Sequence, residues 1–284
     1  MKTMTAIAAL AGEVIPASHR SRVLGLASSG AAFAICLNGL LIAWLQGISL
    51  RQFWLICAGL TLVVAWLTCW ALAPLGLLTS LNRSECDLSD PAQIQTALEQ
   101  YEPEVIVNAA AYTAVDRAES EPDTAFAVNA SAVGALSEAG RECGAHFVHV
   151  STDFVFDGNS SQAYKPEDER NPLSVYGRSK ADGEDAAGPL ATIVRTSWVY
   201  GRQGANFVNT MLRVMRSQHE IRVVSDQIGS PTWVAGLAST VWQLGIGQKT
   251  GIWHHTDTGV ATWYDFAVAI DEEASRLRLL EARV

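Results

Sequence analysis

Hydrophobic and polar positions follow two different patterns along this chain. From Val23 to Leu50, and again from Gln52 to Asn82, no residue carries a charge. Each run exceeds the ~20 apolar residues that a helix needs to cross a bilayer. The pattern predicts two membrane-spanning helices, residues 23–45 and 53–75, joined by the short linker Gln46–Gln52. Small residues (Gly25, Ser28, Ser29, Gly30, Ala31, Ala32) recur in the first run, as on helices that pack closely in lipid. Trp44, Trp54 and Trp70 fall near the ends, where indole prefers the interface. The basic stretch His19-Arg20-Ser21-Arg22 puts the preceding end in the cytoplasm, and two spans return the following domain to that side. A buried helical hairpin is the alternative, but uncharged runs of this length favour the membrane.

After residue 80 the pattern changes to alternating strand and helix signals. Val105–Asn108, His146–Ser151, Ala191–Thr196 and Ile221–Val224 are short apolar runs of the kind buried in a parallel sheet. Between and after them, helical periodicity covers residues 124–143 (stopped by Gly144), 174–187, 206–217, 234–244 and 262–277. This order predicts an α/β fold, a Rossmann-like doubly wound parallel sheet with right-handed crossovers. Residues 1–80 form a hydrophobic helical hairpin in this reading, and residues 81–284 form the α/β domain.

Charge follows the same division. Of the formal net charge of −9, the first 80 residues contribute +3 (Lys2, Arg20, Arg22 and Arg51 against Glu13), so the remainder carries −12. An acidic domain without a basic stripe excludes nucleic acid as a partner. Three of the five cysteines lie in the apolar runs, and neither CxxC spacing nor a disulfide framework appears. The histidines show no metal-ligand spacing. The opening Met1-Lys-Thr-Met-Thr5 has only the outline of a signal peptide, with Glu13 and the lack of a cleavage site against it.

The candidate chemistry lies in Tyr176-Gly-Arg-Ser-Lys180. A tyrosine and a lysine four residues apart share one helix face. Tyr176 can give a proton to a carbonyl oxygen. Lys180, one turn on, would lower the ordinary phenol pKa of about 10 and could hold a cofactor ribose. Thr152 or Ser151, at the end of a strand, would hydrogen-bond the same carbonyl oxygen. Asn108-Ala-Ala-Ala111 offers small residues at a strand end, where a flat ring can approach the backbone. Asp87 and Leu88 read as the end of an earlier strand that could face an adenine. Asn129 is a poor helix former inside a helix, which predicts a tertiary hydrogen bond. Trp198 could stack on a base or sugar. The turn-rich loop Asp226-Gln-Ile-Gly-Ser-Pro-Thr232 would line the pocket.

Five segments together resemble the dTDP-4-dehydrorhamnose reductase family of extended short-chain dehydrogenases/reductases. They are Asn108–Glu119, Ser151–Gly158, Asn171–Lys180, Arg195–Gly201 and Asp226–Thr232, and the resemblance covers about residues 81–275. It implies an oxidoreductase that uses NADPH or NADH to reduce the C4 ketone of dTDP-4-dehydro-L-rhamnose to dTDP-L-rhamnose. By this resemblance Thr152, Tyr176 and Lys180 are catalytic. Asp87, Leu88, Ala109, Ala110, Ala111, Tyr176 and Lys180 bind the cofactor, and Thr152, Asp153, Trp198 and Gln227 meet the dTDP-sugar. No metal ligand carries over. Phe154 stands where the family commonly has tyrosine. Residues 16–30 with the spans that follow are similar to part of a major facilitator superfamily transporter.

The family opens with a strand and a Gly-rich turn that cradles the cofactor pyrophosphate. Here the hydrophobic hairpin occupies those positions, and Gly25 to Gly30 has the wrong spacing to replace the turn. The expectation is a reductase domain lacking its first βα unit, cytoplasmic, anchored through residues 23–75, and able to form a homodimer. A membrane-anchored, non-catalytic binding module and a sugar-nucleotide epimerase or dehydratase are the competing readings.

Overall fold

The structure, a computed structural model, describes residues 3–7, 78–202, 204–218 and 220–279. The chain divides into two compact units, and the described residues belong to the one made of Lys2–Glu13 and Leu77–Val284. The spans expected at 23–45 and 53–75, the transporter-like stretch and Gly25–Gly30 lie outside the described residues. Among the described residues no helix is long and apolar enough to cross a membrane.

Six parallel strands form the central sheet: β1 (Thr3–Ile7), β2 (Leu78–Leu81), β3 (Pro103–Asn108), β4 (His146–Thr152), β5 (Thr192–Thr196) and β9 (Gly251–His254). Their order is β2-β1-β3-β4-β5-β9. Strand β1 pairs with β2 on one side and β3 on the other, with Ile7 opposite both Leu81 and Asn108. This corrects the expected loss of the first strand. The segment Thr3-Met-Thr-Ala-Ile7 is too short to stand out beside two long apolar runs, yet its β-branched and apolar residues suit a central strand. The domain boundary near residue 80 therefore assigned to the hairpin a strand that belongs to the sheet. Chain direction outward from β1 splits between β2 and β3, which makes this edge the topological switch point where ligands of such sheets bind.

Side chains of β3 alternate between two cores. Ile106 faces a layer built with Ile94, Leu98, Val133, Leu136, Phe147 and Ile193. Val105 and Val107 face the other layer with Val148, Val194, Leu237 and Val241. The first layer is covered by helices α1 (Pro91–Tyr101) and α4 (Ala132–Glu142), the second by α7 (Val234–Ile246). This is the double winding the alternation predicts.

Local signals set the helix ends. Asp90 caps α1 by accepting from Ala92 N–H at 3.0 Å, with Pro91 in the first turn. The short helices α2 (Val115–Ala118) and α3 (Pro122–Phe126) lead through a π turn, Ala127–Ser131, into α4. Gly144, at φ 76°, follows the end of α4 as the sequence predicts. Ser174 caps α5 (Val175–Ala187) by accepting from Gly177 N–H at 3.0 Å. Asn206 caps α6 (Phe207–Ser217), and Thr262 with Asp265 forms a capping box on α8 (Trp263–Arg276).

Ile221–Val224 is not a strand. Ile221 and Val223 do alternate inward, but they pack on the Met215, Ala267 and Ile270 cluster between α6 and α8, where no strand lies alongside. The sheet edge is β9 instead, a segment the periodicity did not single out because all four of its residues are exposed. Short pairs complete the fold: β6 (Val199–Tyr200) with β8 (Thr232–Trp233), and β7 (Ile228–Gly229) with β10 (Ala261–Thr262).

Candidate active site

The ends of β3, β4 and β5 and the first turns of α5 meet at one edge of the sheet. Alternation along β4 sends Ser151 and Thr152 to opposite sides. Ser151 Oγ donates to Glu184 Oε1 at 2.6 Å and is buried there, so it is removed from the carbonyl-binding role. Thr152 lies on the side of Tyr176, close enough to act on its phenol. The Thr152 hydroxyl also donates to Asp153 Oδ1 at 3.0 Å and accepts from Phe154 N–H at 3.2 Å. Burial pushes the Asp153 carboxyl up from its ordinary value. Phe154 is 42% exposed and sets its ring edge-on to Tyr176, with centroids 5.5 Å apart.

Tyr176 is buried, and burial pushes its phenol up to about 12, with Asp153 adding to the rise and Thr152 opposing it. The sequence expectation that Lys180 lowers this value is not met. Lys180 is fully buried and turned toward the sheet. Its Nζ donates to Val150 O at 2.8 Å and lies 3.0 Å from His149 Nε2. Burial brings the lysine down to about 7, against a smaller upward pull from Glu184. His149 is pushed well below its ordinary value by burial and by Lys180. Its Nδ1 lies 3.2 Å from Asn108 Nδ2.

The loop after β3 begins with Asn108, whose Oδ1 accepts from Ala110 N–H at 3.0 Å. Ala109, Ala110 and Ala111 follow at the carboxyl end of β3, beside the end of β1. Asn129 holds this loop, as its place inside a helix predicts. Its Oδ1 accepts from Tyr112 N–H at 2.8 Å, and its Nδ2 donates to Tyr112 O at 3.1 Å and Ser179 Oγ at 2.9 Å. The π turn at 127–131 aims this side chain inward. The small side chains and the pinned backbone of the loop, at the carboxyl edge where such sheets bind nucleotides, fit a nicotinamide cofactor.

Asp87 does not end a strand, because β2 stops at Leu81. It lies in the loop before α1, where Oδ1 accepts from Ser89 N–H and Oγ–H at 3.0 and 2.7 Å. Leu88 is buried in the first core layer.

Trp198 and Gln227 form a second group. Trp198 has φ 49°, a left-handed conformation that costs a non-glycine residue ~1–3 kcal/mol and persists only where its surroundings enforce it. Its indole stacks on Trp263, with centroids 3.7 Å apart and planes 15° from parallel. Trp263 Nε1 donates to Gln227 Oε1 at 3.1 Å. Gly229 lies against the Trp198 ring, where a Cβ would come within 2.8 Å of Cε2 and Cζ2.

Sequence reasoning missed His149, the link through Trp263 and the buried support of α5. The available signal for His149 was a polar residue inside the apolar run Phe147–Val150.

Residues 57–282 match the family described as RmlD substrate binding domain. The dTDP-4-dehydrorhamnose reductase of Aggregatibacter actinomycetemcomitans is 43% identical over 211 residues, covering 71% of this chain and 72% of the relative. That of Escherichia coli K12 is 40% identical over 230 residues, covering 77% of each. The crystal structure of the Bacillus anthracis dTDP-4-dehydrorhamnose reductase in complex with NADP matches with a TM-score of 0.68 and 37% identity, over 70% of this chain and 72% of that one. The chain belongs to the RmlD family, whose curated members include the dTDP-4-dehydrorhamnose reductases.

Proposed function

We propose that this chain is an oxidoreductase that reduces the C4 ketone of dTDP-4-dehydro-L-rhamnose to dTDP-L-rhamnose with NADPH or NADH. The observation that carries the reading is the buried Tyr176 phenol close to Thr152 at the carboxyl edge of the sheet, on the edge that also carries the Ala109–Ala111 loop. Relatives at about this identity bear the reductase name, and one structural neighbour binds NADP.

A reduced nicotinamide held at the switch point would be the source of the hydride for the C4 carbon. Tyr176, kept protonated by burial, gives its proton to the C4 oxygen as that oxygen becomes an alkoxide. Thr152 positions the ketone beside the phenol, and Asp153 meets the sugar next to it. Ala109, Ala110, Ala111 and Lys180 border the cofactor, with Asp87 and Leu88 on the adenine side. Trp198 and Gln227 contact the nucleotide sugar. Strand β1 ends with Ile7 opposite Asn108, at the carboxyl edge where such sheets bind a cofactor.

A charged nucleotide sugar does not cross membranes unaided, which places the reductase domain in the cytoplasm. In this reading residues 23–75 are an anchor, and the domain can pair with a second copy.

The test is Tyr176→Phe in the full chain. The expected result is loss of NADPH oxidation with dTDP-4-dehydro-L-rhamnose and unchanged NADPH affinity by fluorescence titration. Full turnover in the variant would reject Tyr176 as the acid. No NADPH binding by the unaltered chain up to millimolar concentration would reject the reductase reading in favour of a non-catalytic module.

A further inference from the structure

The segment that follows the Ala109–Ala111 loop packs against the first turn of α5 and is bonded to it. Tyr112 is tied through both its backbone groups to Asn129, and its hydroxyl donates to Glu121 Oε2 at 2.6 Å. Arg117 Nε donates to the same phenol oxygen at 3.2 Å. Helix α2 comes next. Its last residue, Ala118, is fully buried in one apolar cluster with Ala125, Val175 and Tyr176, and Tyr112, Val115 and Phe126 pack around that cluster. Residues 112–126 therefore build the apolar bed of Tyr176.

Glu119 follows Ala118 directly. Its Oε1 accepts from Val175 N–H at 2.7 Å, across 56 positions of sequence. Val175 is the first residue of α5 and Tyr176 the second. The local cap serves other amides: Ser174 Oγ takes Gly177 N–H at 3.0 Å, and Ser174 O takes Arg178 N–H at 2.9 Å. The first amide of a helix has no partner within that helix. A carboxylate there gains from a charge-assisted bond and from the helix dipole. The same turn also rests on the backbone that follows Thr152, since a Cβ on Gly177 would collide with Phe154 O. Contact with Phe154 limits how near the turn can come to Thr152, and the Glu119 bond ties it to residues 112–126.

We propose that Glu119 is a positioning residue that acts through Val175: its carboxylate fastens the first turn of α5 to the segment leading from the cofactor loop, and so sets the Tyr176 phenol against the reacting ketone. The inference rests on the reading of Tyr176 as the proton donor. What matters is the reach of the acceptor. Glu119→Gln keeps that reach and an oxygen acceptor but not the charge. Glu119→Asp keeps the charge but is one methylene shorter, and Glu119→Ala keeps neither.

The experiment compares the full-length chain with these three variants. It measures kcat, KM for NADPH, the primary isotope effect with NADPH deuterated at the transferred hydrogen, and exchange of the Val175 amide by NMR. Glu119→Gln is expected to retain most of the turnover. Glu119→Asp and Glu119→Ala should lose about ten-fold or more in kcat, because a misplaced acid slows the chemical step. In those two the isotope effect should rise, while KM for NADPH stays where it was. A merely structural role would lower the unfolding midpoint but leave the isotope effect and the kcat of the folded chain unmoved, and that result overturns the proposal. A Glu119→Gln chain no better than Glu119→Asp overturns it too, and this comparison decides even where Glu119→Ala does not fold. Exchange of the Val175 amide reads the contact without turnover: it should be slow in the unaltered and Glu119→Gln chains and about ten-fold faster in the other two. Equal exchange in all four removes the contact itself, whereas absence of turnover in the unaltered chain counts against the reductase reading, so the two fail separately.

Discussion

Arg195 and Glu184 form a bidentate ion pair beneath α5, with Nε donating to Oε1 at 2.8 Å and Nη2 to Oε2 at 2.7 Å, both side chains almost fully buried. The pair ties the helix that carries Tyr176 and Lys180 to β5. Removing Arg195 leaves the buried Glu184 carboxylate with Arg170, at 3.2 Å, as its remaining cation, and breaking a buried pair of this kind costs up to ~3–5 kcal/mol. Arg195→Met should therefore lower the unfolding free energy by about that amount. Arg170→Met, which removes the more exposed partner of Glu184, should cost ~1 kcal/mol or less. Urea unfolding followed by tryptophan fluorescence ranks the two, and the opposite order would refute this account.

Two glycines make a paired test of how closely α5 meets its neighbours. A Cβ on Gly183 would lie 2.0 Å from Asn129 O, an impossible approach to backbone. A Cβ on Gly134 would meet Ala186 Cβ at 3.4 Å, an ordinary contact. Gly183→Ala should destabilise by ~1–3 kcal/mol through overpacking and pull Asn129 away from Ser179. Gly134→Ala should stabilise by ~0.5–1 kcal/mol through helix propensity alone. Thermal unfolding of both variants decides, and equal effects would mean that α5 and the π turn do not touch.

The pH dependence of stability follows from His149 and Lys180. The folded chain holds His149 below its ordinary 6.5, so the unfolded chain binds the extra proton. The stability this contributes is present above pH 6.5 and is lost as the pH falls. Lys180 sits at about 7 against 10.5 in the unfolded chain. Between those values the unfolded state again binds more protons, and stability rises with pH by up to ~1.4 kcal/mol per pH unit. Cys86 and Tyr176, both pushed up, act in the opposite direction, but only near and above their ordinary values of 9.0 and 10.0. The urea midpoint should thus climb from pH 7 to pH 9, and Lys180→Met should flatten the climb. A flat profile for the unaltered chain over that range is incompatible with a buried neutral lysine.

The helices around the site are legible in sequence because each has a periodic face and a strong end signal: Ser174 before α5, Asn206 before α6, Thr262 before α8, Gly144 after α4. The apolar runs of β3, β4 and β5 are equally plain. What the sequence hides is pairing at a distance. Thr3–Ile7 is one short segment among many until β2 and β3 flank it, and Ile221–Val224 has the composition of a strand but no strand beside it. Thr152 and Tyr176 can be proposed from spacing and chain order. The choice of Thr152 over Ser151 needs the sheet face, and the direction of the Tyr176 shift needs to know where Lys180 points. No local pattern carries that information, because His149 is 31 residues from Lys180 in sequence.

Trp198 is held in its left-handed backbone by contacts on both sides: Trp263 stacked at 3.7 Å and Gly229 pressed against the ring. If the indole meets the nucleotide sugar, its orientation depends on Trp263, which also fixes Gln227 through its Nε1–H. An aromatic pair of this kind is worth about 1 kcal/mol beyond the area it buries, which corresponds to about a five-fold change in an equilibrium. Trp263→Leu should raise KM for the dTDP-sugar by about that factor or more and leave KM for NADPH unchanged. Gly229→Ala should do the same by displacing the ring from the other side. Because neither residue borders Tyr176 in the reading above, kcat should fall less than KM rises. A loss confined to kcat would place Trp198 with the reacting carbonyl rather than with the nucleotide, and a KM effect on NADPH would place it on the cofactor side of the site.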